Sequence, residues 1–140
     1  MKKITSFTIN HLDHNPGIYL SRRDGDVFTY DVRICKPYVD TLLTNAEMHS
    51  LEHLLATVMR SAPYQDDVVY VGPMGCQTGF YVLLRNVDLP LATKYVTDAF
   101  KFIASYDGEM PGKDKIECGN CLNLSVELAV NVAKIFLSRI

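Results

Sequence analysis

From Val27 to Cys35 the side chains alternate in character. Phe28, Tyr30, Val32 and Ile34 are apolar, and Thr29, Asp31 and Arg33 between them are polar. A period of two belongs to a β-strand with one buried face. A strand of that kind folds only if the rest of the chain covers its apolar side. Gly17 to Cys35 reads as a hairpin, with Asp24-Gly25 as the turn signal. Val68 to Val71 and Phe80 to Leu84 read as two more short strands. The glycine-bearing segment from Gly72 to Gly79 lies between them.

The cover comes from segments with helical spacing. Thr44 to Ser61 is predicted to be a helix, because Thr44 with Glu47 forms a capping box and Pro63 lies just past the end. Pro90 to Tyr106 is predicted to be a second, with Leu91, Tyr95, Ala99, Phe102 and Ile103 as its apolar stripe. Asn123 is the expected N-cap of a last helix running to about Ser138. Strands and helices mix without regular βαβ alternation. The expected class is α+β, a mainly antiparallel sheet with helices packed on one face.

At 140 residues the chain has the size of one domain, and residues 1–140 are read as such. Lys and Arg number 14 and Asp and Glu 16, so no general positive field exists to gather nucleic acid or anionic lipid. No run approaches the length of about 18 apolar residues that a membrane helix needs. Thr5, Ser6, Thr8 and Asn10 break any apolar leader after Lys2 and Lys3, so a cytoplasmic chain is expected. In that compartment the four cysteines, Cys35, Cys76, Cys118 and Cys121, point to metal or catalytic use rather than disulfides.

The strongest local signal is His49-Ser50-Leu51-Glu52-His53. On a helix His49 and His53 lie roughly 40° apart and one turn above each other, so two imidazoles can reach one metal ion. Glu52 flanks that position, where a proton acceptor serves a metal-bound reactant. Leu51, Leu54 and Leu55 anchor the other side. The bland alternative is a solvated polar face with two histidines. A zinc-like site needs a third ligand, and Cys118 and Cys121 are the obvious suppliers. Both together would make a closed structural Cys2His2 site; one alone would leave an open position. Cys76 sits in a segment with several glycines that allow close backbone approach to a ligand. A buried inert thiol is its alternative reading, and Cys35 reads as packing only.

Taken together, these segments resemble the S-ribosylhomocysteine lyase family (LuxS, the autoinducer-2 synthesis proteins). The resemblance runs through Ser6-Phe7 with His11, Tyr30 to Cys35 with Pro37, His49 to Leu55, Gly72 to Tyr81, and Glu117-Cys118-Gly119. It implies that His49, His53 and Cys118 hold one divalent metal per subunit, Fe²⁺ in the cell and often Zn²⁺ or Co²⁺. It implies that Glu52 and Cys76 are the acid/base pair. It implies a homodimer with sites at the interface, to which the neighbouring subunit lends Ser6, His11 and Arg33 for substrate binding. The implied reaction cleaves S-ribosylhomocysteine to homocysteine and 4,5-dihydroxy-2,3-pentanedione, the autoinducer-2 precursor of quorum sensing, as a step of the methyl cycle. Tyr70 stands where the resemblance expects an aspartate, and Cys121 is also a departure. Two other readings remain: an inverted-zincin peptidase, with Glu127 as third ligand, and a non-enzymatic domain with a Cys2His2 zinc.

Overall fold

The alternating run becomes β2 (Val27–Arg33) in a computed structural model that describes residues 1–140. It pairs antiparallel with β1 (Gly17–Asp24) through a two-residue loop, in which Gly25 has φ +61°. A positive φ at the first loop position keeps the tight hairpin in step with the strand twist. The other strands are β3 (Val68–Pro73) and β4 (Gly79–Arg85). The sheet order is β1-β2-β4-β3, with every neighbouring pair antiparallel. Gly79 makes the β2–β4 contact possible: a Cβ there would stand 2.2 Å from the Val32 carbonyl oxygen.

Three helices cover one face. They are α1 (Asn45–Arg60), α2 (Leu89–Ala104) and α3 (Val126–Arg139). The expected capping box forms on α1, with Thr44 accepting from the Glu47 amide and Glu47 from the Thr44 amide. Helix α1 packs on β3, and α3 packs against both α1 and α2. Tyr30, Val32, Phe80, Val82 and Leu84 point from the sheet into the same core as Leu51, Leu55, Val96, Ile103 and Phe136 from the helices. The expected class, α+β with a covered antiparallel sheet, is the one observed.

Three details differ from the sequence reading. Asn123 does not cap the last helix. Ser125 does, accepting from the Leu128 amide, while Asn123 ends a short 3-10 turn at Cys121–Asn123. On α2 the buried stripe is Ala92, Val96, Ala99, Phe100 and Ile103, with Phe102 55% exposed and Leu91 38%. Helical spacing pointed to Leu91, Tyr95, Ala99, Phe102 and Ile103, and packing against α3 buried the adjoining stripe instead, sharing only Ala99 and Ile103 with it. The polar side of β2 is also buried at one end: Asp31 and Arg33 are each only 2% exposed. The chain before β1 covers them with His14, the one buried residue among the first sixteen.

Candidate active site

Two clusters of chemically active side chains form, one on the first helix and one at the polar end of the sheet. The first is a metal-ligand group. Helix α1 stacks His49 and His53 with ring centroids 4.7 Å apart. The loop before α3 brings Cys118 to them, with its sulfur 3.4 Å from His49 Nε2. One ligand atom from each residue lies within 4.8 Å of the others. Both histidines are anchored through their far nitrogens. His49 Nδ1 lies 2.6 Å from Asn123 Oδ1, and His53 Nδ1 lies 2.8 Å from the Pro111 carbonyl oxygen. An amide oxygen and a carbonyl only accept, so each Nδ1–H donates and each Nε2 lone pair is left for a cation. The donor set therefore fits a divalent metal. Two imidazoles and one cysteine sulfur are three ligands, which would leave a zinc-like ion room for one more.

The loop is pinned to the helix by Ser50. Its buried hydroxyl accepts from the Ser125 amide at 2.9 Å and donates to the Asn123 carbonyl at 3.5 Å. The serine inside the histidine pair thus sets the position of Asn123, which in turn orients His49. Sequence reasoning passed over Asn123 as a metal-site residue. The signal was available: a ligand histidine needs an acceptor for its second nitrogen, and Asn123 lies just beyond the cysteines. Glu52 is half-buried, outside the three-ligand group, and has no hydrogen bond or ion pair. Cys121 and Glu127 also lie outside it. The closed Cys2His2 site and the peptidase site therefore each lack the ligand that would define them.

The second cluster surrounds Cys76, which is exposed at the tip of the β3–β4 connection. Gln77 beside it has φ +64° and is held on both sides: its carbonyl accepts from the Leu43 amide and its side chain donates to the Leu43 carbonyl. Non-glycine residues rarely adopt that conformation without such support. The Cys76 sulfur lies 2.9 Å from Thr78 Oγ1, and Arg33 reaches both, approaching the sulfur at 3.8 Å and donating to the threonine hydroxyl. Arg33 also donates to Asp31 at 2.7 Å. His11, Arg33, Asp40, Cys76 and Thr78 line one cavity of about 390 Å³.

The predicted residues therefore fall into groups. His49, His53 and Cys118 are together, and His11, Arg33 and Cys76 are together. Ser6 is apart from both, in a shallow depression with Thr29 and Tyr81. No hydrogen bond joins the metal-ligand group to the Cys76 cluster, and none of the three ligands lines the Cys76 cavity. A separation of Arg33 from Cys76 between subunits does not match this arrangement, because the two touch within one chain. Cys35 is buried, donates to the Thr41 carbonyl, and has its thiol pushed up by burial, as a packing cysteine should.

Fold and site define an α+β enzyme domain with a possible single-metal His2Cys centre and a separate thiol pocket. The chain belongs to the S-ribosylhomocysteinase (LuxS) family, whose model matches residues 4–140. It is 43% identical to the S-ribosylhomocysteine lyase of Clostridium beijerinckii, over 100% of this chain and 92% of that protein. The lyase of Porphyromonas gingivalis is 39% identical over the same shares, and that of Borreliella burgdorferi 40% over 92% and 86%.

Proposed function

We propose that this chain cleaves the thioether of S-ribosylhomocysteine, releasing homocysteine and 4,5-dihydroxy-2,3-pentanedione. The observation that carries the reading is the His49–His53–Cys118 group, with both Nδ1 atoms committed elsewhere. His49, His53 and Cys118 would hold one divalent ion, Fe²⁺ in the cell with Zn²⁺ or Co²⁺ able to replace it, and its chemistry is Lewis-acid polarisation of a sugar oxygen.

The protein's own groups then move protons. Cys76 takes a proton from the carbon beside the sugar carbonyl and returns it to the former carbonyl carbon, so the carbonyl moves from C1 to C2. A second round moves it to C3. The C4 proton is then acidic, and the sulfur on C5 is β to the ketone. Glu52, which has no partner of its own, takes the C4 proton; the C5–S bond breaks, homocysteine leaves with the electron pair and takes that proton on sulfur, and the C4–C5 enol left behind tautomerises to the diketone. Arg33 fixes the place of the Cys76 sulfur, with one guanidinium nitrogen 3.8 Å from it.

The reading assigns the full site to a homodimer. One copy supplies the metal ligands and Glu52, and the other supplies His11, Arg33 and Cys76, with Ser6 contributing to substrate binding. Four free thiols suit a reducing compartment, so the reading assigns the enzyme to the cytoplasm. The product serves as a quorum-sensing precursor and homocysteine returns to the methyl cycle.

The test is thiol release from S-ribosylhomocysteine by protein purified without oxygen. Release should stop with a chelator and return with Fe²⁺ or Co²⁺. Cys76→Ala should keep its metal and release no homocysteine. A folded, metal-loaded wild type that releases none would overturn the reading.

A further inference from the structure

One pair of thiols has only half a role so far. Cys118 and Cys121 are separated by Gly119 and Asn120, and only Cys118 belongs to the metal-ligand group. Cys121 opens the short 3-10 turn Cys121–Asn123, and its thiol is free. Gly119 and Asn120 form a turn between the two cysteines. A four-residue turn brings its end residues to within about 7 Å, Cα to Cα. Disulfides bridge Cα atoms about 4.4–6.8 Å apart. The Asn120 amide donates to the Cys118 sulfur at 3.4 Å, so that sulfur lies against the turn that leads to Cys121.

The pair is within reach of small solutes. Both cysteines are half-buried, and Ile116 and Leu122 beside them are 95% and 86% exposed. Neither remaining thiol competes for the pairing. Cys35 is 1% exposed in the core, and Cys76 stands in the other cluster. A cysteine binds a metal ion as its thiolate. The Cys118 sulfur can therefore hold a metal or join a disulfide, but not both.

We propose that Cys118 and Cys121 form a reversible disulfide when the protein meets a hydroperoxide, and that this bond takes Cys118 out of the metal site. Cys121, which lies outside the ligand group, reacts first. With hydrogen peroxide its sulfur attacks one oxygen, the O–O bond breaks, and a sulfenic acid and one water result. The Cys118 sulfur then attacks the sulfenic sulfur. The S–S bond forms, the S–O bond breaks and a second water leaves. The two thiols lose two electrons and two protons, and the peroxide gains them. Two histidines remain, fewer ligands than a zinc-like site keeps, and the ion leaves. An exposed disulfide is of the readily reduced kind. Transient, redox-sensing disulfides are also the kind that occurs in reducing compartments. The proposal rests on the reading of Cys118 as a metal ligand.

The experiment treats zinc-loaded, full-length protein with hydrogen peroxide. Released zinc is followed with a chromogenic chelator, and the cysteine peptides are mapped by mass. Wild type should lose zinc in step with a Cys118–Cys121 peptide two hydrogens lighter. Dithiothreitol followed by fresh zinc should restore the original content. Cys121→Ser should load zinc like wild type, form no such peptide and release zinc severalfold more slowly. Zinc release at the wild-type rate in the serine variant would overturn the proposal. So would a mapped disulfide that leaves zinc bound, or zinc loss without the disulfide. A folded serine variant that takes up no zinc would make Cys121 a ligand and overturn it as well. If the serine variant does not fold, Cys121→Ala is read in the same way. Zinc content and peptide masses need no turnover. A wild type that binds zinc yet releases no homocysteine would defeat the functional reading and still leave this test decisive.

Discussion

Single atoms decide how this site works. His49 reads as a ligand from its spacing, but its orientation depends on Asn123, placed by Ser50. Loss of such an acceptor typically costs 10- to 100-fold in metal affinity. Asn123→Ala should therefore bind Co²⁺ or Zn²⁺ about 10- to 100-fold more weakly, measured by competition with a chromogenic chelator, while its fold is kept. Tyr64 gives a pH-dependent case. Burial pushes its hydroxyl up to about 12. The folded chain thus holds that proton more tightly than the unfolded chain, whose tyrosines titrate near pH 10. The stabilisation is complete below pH 10 and is lost as pH rises toward about 12. Absorbance titration should find Tyr64 ionising late. Tyr64→Phe should flatten the alkaline fall in urea stability, and an unchanged slope would contradict the assignment.

The elements follow local rules closely where those rules are local. The α1 capping box was legible because it needs only residues Thr44 and Glu47. Thr44→Ala should cost about 1 kcal/mol in urea unfolding, the usual worth of such a cap. Asn123 was misread as a cap for a related reason: asparagine and serine are equally good N-caps, and the choice between Asn123 and Ser125 belongs to the packing of the loop on α1. The α2 stripe was misplaced because periodicity gives a direction of apolar surface to within one stripe, and contact with α3 decides which is inside. Gly79 tests the sheet itself. A methyl group there meets the Val32 carbonyl, so Gly79→Ala should part β2 from β4 and destabilise the fold by about 2 kcal/mol or more. A wild-type urea midpoint for that variant would count against the close approach.

For the whole molecule, the main fact is that the metal-ligand group and the Cys76 cluster are distinct within one chain. If a dimer joins them, mixed dimers have a defined pattern. Arg33 and Cys76 are on one chain, so Arg33→Ala mixed with Cys76→Ala leaves no intact site. His53→Ala mixed with Cys76→Ala leaves one intact site per mixed dimer and should recover up to about half of the activity per such dimer, by simple counting of intact sites. Recovery in the first mixture and not the second would refute this division.

What the sequence determined by itself is whatever lies within a few residues of its cause. The strand period of β2, the cap of α1 and the histidine pair one helical turn apart follow from backbone geometry that no distant residue alters. The family was legible too, because five separate blocks carry it. Tertiary structure decided what those faces meet. Cys118 reaches His49 across 69 positions of chain. The polar side of β2, which a two-residue period assigns to solvent, is closed over by His14 and becomes a buried guanidinium aimed at a thiol. Periodicity says which side chains share a face; only the folded chain says what covers that face, because covering is a contact between segments that are remote in sequence.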